Sequence, residues 1–179
     1  DDGIKCGVSS WRRIDDNMIP PAAKVTGLYV NSALAKTEAI ENGFDEAIML
    51  TQAGNVSEGS AENIFLVQGD TLITPAKGEN ILVGITRNAV MQLAHDELGI
   101  RTVERNVARS ELYTSDEVFL CGTGAQISPV TEIDRRKVGD GVVGPITRRL
   151  QDVYFGAVRG ENAKYASWVR PVLGAGASH

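Results

Sequence analysis

A lysine set among small residues ahead of a helical pattern is the first group in this sequence that could do chemistry. In Ala22-Ala23-Lys24-Val25-Thr26-Gly27-Leu28-Tyr29-Val30-Asn31-Ser32, Lys24 follows two alanines and precedes a Val-Thr-Gly run. Loss of hydration there would lower its pKa and free the neutral amine as a nucleophile. Tyr29 brings a phenol near whatever the amine attacks. Two turns could hold an anion. Gly84-Ile85-Thr86 precedes a helical pattern, so its amides and the Thr86 hydroxyl would meet a phosphate at the positive end of the dipole. Gly122-Thr123-Gly124 ends a strand and offers a second hydroxyl and exposed amides. Glu58 stands between Ser57 and Gly59 at a strand end, where a buried carboxylate is costly unless paired. Taken singly, these groups also fit a solvated lysine, a helix cap, a tight turn and an exposed edge glutamate.

In combination they have a specific chemical meaning. A nucleophilic lysine, two phosphate-cradling turns and a carboxylate are what pyridoxal phosphate (PLP) requires. The lysine makes the Schiff base, the turns hold the phosphate, and the carboxylate keeps the pyridine nitrogen protonated so that the ring acts as an electron sink.

The elements that would position these groups can be read in order. Residues 4–11 read as a strand, and Asp15-Asp16-Asn17 with Pro20-Pro21 mark a turn and an extended lead to Lys24. Residues 28–42 read as a helix, with Val30, Ala33, Leu34, Thr37 and Ile40 as its stripe and Gly43 as its stop. Residues 46–50 form a buried strand, Ala53-Gly54-Asn55 a hairpin turn, and residues 56–60 lead away from it. Residues 63–67 and 71–74 pair across Gly69-Asp70. A loop over 75–83 leads to a helix with Thr86 as N-cap, apolar positions at Val90, Leu93, Ala94 and Leu98, and Gly99 as its end. Residues 100–107 alternate as a strand, 108–115 form a short helical turn, and 117–121 and 126–133 are strands. Gly139-Asp140-Gly141 is a turn, and Pro145 opens a last amphipathic helix to Val158. The fold class is α/β, of α+β type, with a largely antiparallel sheet. The tail over 174–179 is expected to fray.

Bulk properties narrow the function. The 179 residues are 42% hydrophobic and 23% charged with a net charge of -5, a globular composition without a nucleic-acid footprint. Arg12-Arg13, Arg135-Arg136 and Arg148-Arg149 read as solvated faces. No run is long enough for a membrane span and no signal peptide opens the chain. Cys6 and Cys121 have no metal or redox spacing, and His95 and His179 make no histidine-rich site, so a reduced cytoplasmic protein without metal chemistry is expected. The abrupt start in a strand, without Met, reads as a fragment.

The sequence resembles the branched-chain amino acid aminotransferases of the fold-type IV (class IV) PLP enzymes. The matching segments, in order, are Lys24-Val-Thr-Gly-Leu-Tyr29-Val-Asn-Ser, Asp45-Glu-Ala-Ile, Val56-Ser-Glu58-Gly-Ser-Ala-Glu-Asn63-Ile-Phe, Leu82-Val-Gly-Ile-Thr86-Arg, Asp116-Glu-Val-Phe and Gly122-Thr123-Gly-Ala-Gln-Ile-Ser-Pro-Val. They cover roughly residues 4–160. The resemblance implies that Lys24 holds the cofactor and shuttles the proton between substrate α-carbon and cofactor, that Tyr29 bonds the phenolic oxygen and that Glu58 pairs with the pyridinium. It further implies Leu82 against the ring, Gly84, Ile85, Thr86, Gly122 and Thr123 around the phosphate, and Thr123 and Gly124 near the substrate carboxylate. The implied reaction moves an amino group from a branched-chain amino acid to 2-oxoglutarate.

By the same resemblance, residues 1–173 are the large cofactor-binding domain, with a mixed, mostly antiparallel, barrel-like sheet and flanking helices. The small N-terminal domain of the family is missing, the parent protein is a homodimer, and the isolated domain is expected to turn over poorly. Gly124 and Gln126 depart from the residues usual in the family, Ala and Glu; the second bears on substrate preference. A D-amino acid or amine transaminase, an aminodeoxychorismate lyase and a non-catalytic module of the same fold remain open. An intact Lys24, Tyr29 and Glu58 speak against the last.

Overall fold

A computed structural model describes residues 2–170, so the expected tail over 174–179 and the end of the 1–173 domain lie outside the described residues. The elements are β1 (Ile4–Arg12), α1 (Tyr29–Glu41), β2 (Glu46–Leu50), β3 (Val56–Gly59), β4 (Asn63–Gln68), β5 (Thr71–Pro75), α2 (Ile85–Leu98), β6 (Arg101–Arg105), β7 (Glu117–Gly122), β8 (Gln126–Ile133), β9 (Arg136–Lys137) and α3 (Pro145–Val158). Short 3-10 turns occupy Pro21–Ala23, Thr26–Leu28, Arg109–Tyr113 and Ala163–Trp168.

The strands form one 9-stranded sheet in the order β3-β2-β1-β8-β7-β4-β5-β6, with β9 paired to β8. The pairs β2–β3, β4–β5, β4–β7, β7–β8 and β8–β9 are antiparallel. The pairs β1–β2, β1–β8 and β5–β6 are parallel. The sheet is mixed, mostly antiparallel, and curled into a half-barrel with flanking helices, as the resemblance implies.

Burial on both faces explains why the central strands read as apolar runs rather than alternating patterns. Ile64 and Leu66 of β4 and Val118 and Leu120 of β7 enter one core cluster with Cys6, Ile48 and Val130. Their alternating neighbours Phe65, Val67 and Phe119 enter a second, under Val90 and Leu93 of α2 and Leu150 and Tyr154 of α3. Phe65 and Phe119 are cross-strand partners. Their rings stack with centroids 5.1 Å apart and planes 8° from parallel.

Two expectations are corrected and one strand is added. The stripe Val30, Leu34, Ile40 on α1 faces outward (66%, 41% and 58% exposed), while the buried positions are Asn31, Ser32, Ala35 and Ala39. Small residues let α1 approach β2, where Ala35 and Ala39 meet Ala47 and Met49. The two polar ones are hydrogen-bonded to the end of β1, so periodicity of apolar residues picks the wrong face. The N-cap of α2 is Gly84, not Thr86, which is buried inside the first turn. β9, a two-residue strand after the Asp134-Arg135 turn, carries no period to detect.

Truncating the stacked pair tests the doubly buried sheet. Phe65→Ala is expected to destabilise the fold by about 3–5 kcal/mol in denaturant unfolding, and a loss below about 1 kcal/mol would contradict this packing.

Candidate active site

The cleft begins where β1, α1 and β3 converge. Arg13 directly follows β1, and its side chain is buried instead of solvated. Its Nη2 lies 2.7 Å from Glu58 Oε1, its Nη1 donates to Ser32 Oγ at 3.2 Å, and its Nε donates to the Asn80 carbonyl at 3.4 Å. Asn31 beside it accepts from the Ile14 amide and donates to the Arg12 carbonyl. The polar side chains on the inner face of α1 therefore serve to fix the end of β1.

Glu58 is 4% exposed and its carboxylate is fully engaged. Oε2 accepts from Asn63 Nδ2 and from the Leu82 amide, both at 3.0 Å. Asn63 is a clamp between strand and loop: its Nδ2 also donates to the Leu82 carbonyl at 2.7 Å, and its Oδ1 accepts from the Gly84 amide at 3.2 Å. A Cβ on Gly84 would run into Asn63 Oδ1, so the glycine is needed for this close approach.

The amino end of α2 then opens towards the cleft. Its N-cap Gly84 offers no side chain, and no side-chain cap from elsewhere replaces it among the described residues. α3 differs: Glu117 of β7 accepts from the Ile146 and Thr147 amides at 2.9 and 2.7 Å and from Thr147 Oγ1 at 2.6 Å. The first turn of α2 thus keeps amides and the Thr86 hydroxyl for an anion.

A cleft of about 250 Å³ is lined by Lys24, Tyr29, Glu58, Leu82, Gly84, Ile85, Thr86, Gly122 and Thr123, together with Arg13, Ser32, Glu62, Asn63 and Cys121 among others. The structure brings together every site residue expected from the sequence except Gly124, which lies one residue beyond the lining on the β7–β8 turn. Two residues of the cleft, Arg13 and Asn63, stand outside the expected set. Arg13 sits in a pair that looked solvated, and Asn63 sits in a strand. The signal for Arg13 was the cost of burying Glu58, which calls for a cation at the end of a neighbouring strand.

The expected desolvation of Lys24 is not found. Lys24 is exposed between two 3-10 turns, with a left-handed backbone at φ 50 and ψ 39. Ala22 and Ala23 are too small to cover it, and both are exposed themselves. The left-handed conformation is sparsely populated for a residue with a Cβ, so the fold holds this position against about 1 kcal/mol or more of strain. Tyr29, at the start of α1, is 49% exposed on the same rim. Among the described residues, no group of His, Cys, Asp and Glu could hold a metal ion, and no helix is long and apolar enough to cross a membrane.

The family model for amino-transferase class IV matches residues 1–133. The chain belongs to the class IV aminotransferase family. It is 59% identical over 170 residues to a probable branched-chain-amino-acid aminotransferase of Aquifex aeolicus, a match covering 95% of this chain and 55% of that protein. It is 44% identical over 170 residues to the branched-chain-amino-acid aminotransferase of Escherichia coli K12, covering 95% of this chain and 55% of the relative. Among solved structures, the branched-chain amino acid aminotransferase of Thermobaculum terrenum in its PLP form superposes with a TM-score of 0.94 at 43% identity. That match covers 97% of this chain and 57% of the other. The chain therefore spans about half the length of the curated relatives it matches.

Within this class IV site, burial pushes the Glu58 carboxyl up from 4.5 to about 7, against the Arg13 guanidinium and the Leu82 amide, which pull it down. The folded protein then holds a proton that the unfolded chain has already released, so stability falls as pH rises from about 4.5 to 7 and levels off above. Glu58→Gln is expected to flatten this window in denaturation series across pH; an unchanged slope would assign it to other groups. Arg13→Met strands the carboxylate and is expected to cost about 3 kcal/mol or more at neutral pH, much of it recovered in the Arg13→Met/Glu58→Leu double variant.

Proposed function

We propose that this chain is the PLP-binding domain of an aminotransferase that moves the amino group of leucine, isoleucine or valine to 2-oxoglutarate. The observation that carries this reading is the buried Glu58 carboxylate, held by Arg13, Asn63 and the Leu82 amide in a cleft that also presents an amine and two threonine hydroxyls. The donor set fits the cofactor. Lys24 offers an amine, Thr86 and Thr123 offer hydroxyls, and the uncapped end of α2 offers amides. The similarity to branched-chain aminotransferases supports the substrate class.

When bound, PLP supplies an electron sink for bonds at the substrate α-carbon. Glu58, engaged by Arg13 and Asn63, would pair with the ring nitrogen, and a pyridinium there would favour the ionised carboxylate that burial otherwise disfavours. Tyr29 would donate a hydrogen bond to the ring oxygen and Leu82 would give the ring an apolar contact. Ile85, Thr86 and Thr123 would hold the phosphate through amides and hydroxyls. Lys24 Nζ is the amine that would hold the cofactor, and as a free amine it would be the base that takes the proton from the substrate α-carbon. The exposure of Lys24 gives it freedom to swing between these tasks. Gly124, on the open β7–β8 turn, offers its amide to the substrate carboxylate.

In this reading the whole protein is a homodimer in the cytoplasm, where buried thiols such as Cys6 and Cys121 stay reduced. Residues 1–173 form its large domain, and a further domain would supply the cover over Lys24.

A PLP titration of the chain beside Lys24→Ala tests the cofactor site. A yellow absorbance band that borohydride fixes on Lys24, absent from the variant, is expected; a band of equal strength in the variant would place the attachment elsewhere. Turnover of leucine and 2-oxoglutarate by this chain alone is expected to be very low because Lys24 is uncovered, and steady turnover would sink that expectation. An amino-donor panel on the longer protein decides between branched-chain and other donors.

A further inference from the structure

Arg87 follows Thr86 directly in the first turn of α2, and its side chain is fully buried, at 0% exposure for the residue. Its Nη2 donates to the Pro75 carbonyl at 3.1 Å and to Glu104 Oε2 at 2.7 Å, which ties α2 to the ends of β5 and β6. Its Nε and Nη1 are buried and have no hydrogen-bond partner among the described residues. A buried guanidinium with two idle nitrogens is costly, and a nearby negative charge would offset that cost.

The ion pair is also uneven. The Arg87 side chain is 1% exposed and that of Glu104 is 34% exposed. Solvent screens the carboxylate and leaves the guanidinium unscreened, so the pair presents a net positive field inside the fold. That field reaches the cleft. Burial pushes the Cys121 thiol up to about 12, and the Arg87 charge opposes the rise. Cys121 lines the cleft beside Gly122 and Thr123, the second anion-holding turn.

We propose that Arg87 is a positioning residue for the phosphate of the bound ligand. It anchors the first turn of α2 so that the Ile85 and Thr86 amides and the Thr86 hydroxyl meet the cleft, and its under-compensated charge strengthens that turn for a dianion. The inference rests on the PLP reading above and adds a residue outside the cleft lining to it. A residue that only scaffolds the turn would affect any ligand of the cleft. One that acts on the phosphate would affect only ligands that carry it.

PLP and pyridoxal, which shares the ring and aldehyde and lacks the phosphate, separate these cases. The unaltered chain, Arg87→Gln and Arg87→Lys are titrated with both, read by absorbance and borohydride fixation, with thermal unfolding recorded without ligand. Arg87→Gln is expected to weaken PLP about tenfold and leave pyridoxal unchanged, while Arg87→Lys keeps PLP within about threefold. Equal weakening of PLP and pyridoxal in Arg87→Gln, or no weakening of either, overturns the proposal. Where Arg87→Gln does not fold, Glu104→Gln carries the comparison: removal of the opposing charge is expected to tighten PLP alone, and weaker PLP overturns the proposal. Absence of any band with PLP in the unaltered chain is a separate result, which overturns the cofactor reading itself.

Discussion

The site depends on one buried ion pair. Glu58 and Arg13 sit 2.7 Å apart with side chains 5% and 6% exposed. Two charges in that setting are tolerated only when the remaining hydrogen-bonding capacity is used. That requirement reaches outward. It recruits Ser32 from α1, Asn80 from the loop after β5, Asn63 from β4 and the Leu82 amide. The elements that meet at the cleft are tied together by the need to satisfy one carboxylate and one guanidinium.

Around that pair the sheet supplies rigidity. β4 and β7 bury both faces, so their ends cannot shift without disturbing two cores. The turns after β7 and before α2 project from these fixed ends, which gives Thr123 and Thr86 defined places. The two helix starts show how local chemistry follows from partners: α3 is given a carboxylate by Glu117, and α2 is given none. Lys24 stands apart, on a strained and exposed turn with no such support.

Much of this was legible because it is local. The Gly69-Asp70 turn between apolar runs, Pro145 at a helix start and Gly99 at a helix end each act through their own backbone preferences, and each element came out in place. The site residues were legible as ordered motifs, and nine of them line one cleft. What escaped is non-local. Arg13 looks solvated until Glu58 is known to be beneath it. The buried face of α1 is chosen by hydrogen bonds to β1 and by alanines that permit close approach, so the more hydrophobic face is left outside. Exposure at Lys24 depends on what packs over it, which no neighbour in sequence decides.

The strand order has a kinetic consequence. Among the described residues, the ladder pairing that joins β3, β2 and β1 to the other strands of the sheet is the parallel β1–β8 pair. Those partners lie far apart in sequence, as the Val8 amide donating to Asp134 across 126 positions illustrates. Closing such a loop comes late and slowly. Arg13 and Glu58 belong to one side of that seam, and Asn63, Thr86 and Thr123 to the other. During synthesis, therefore, local bonds such as Asn63 to Glu58 can form first, and the seam itself closes only with β8. A ligand that binds across that seam acts as a clasp on its closure.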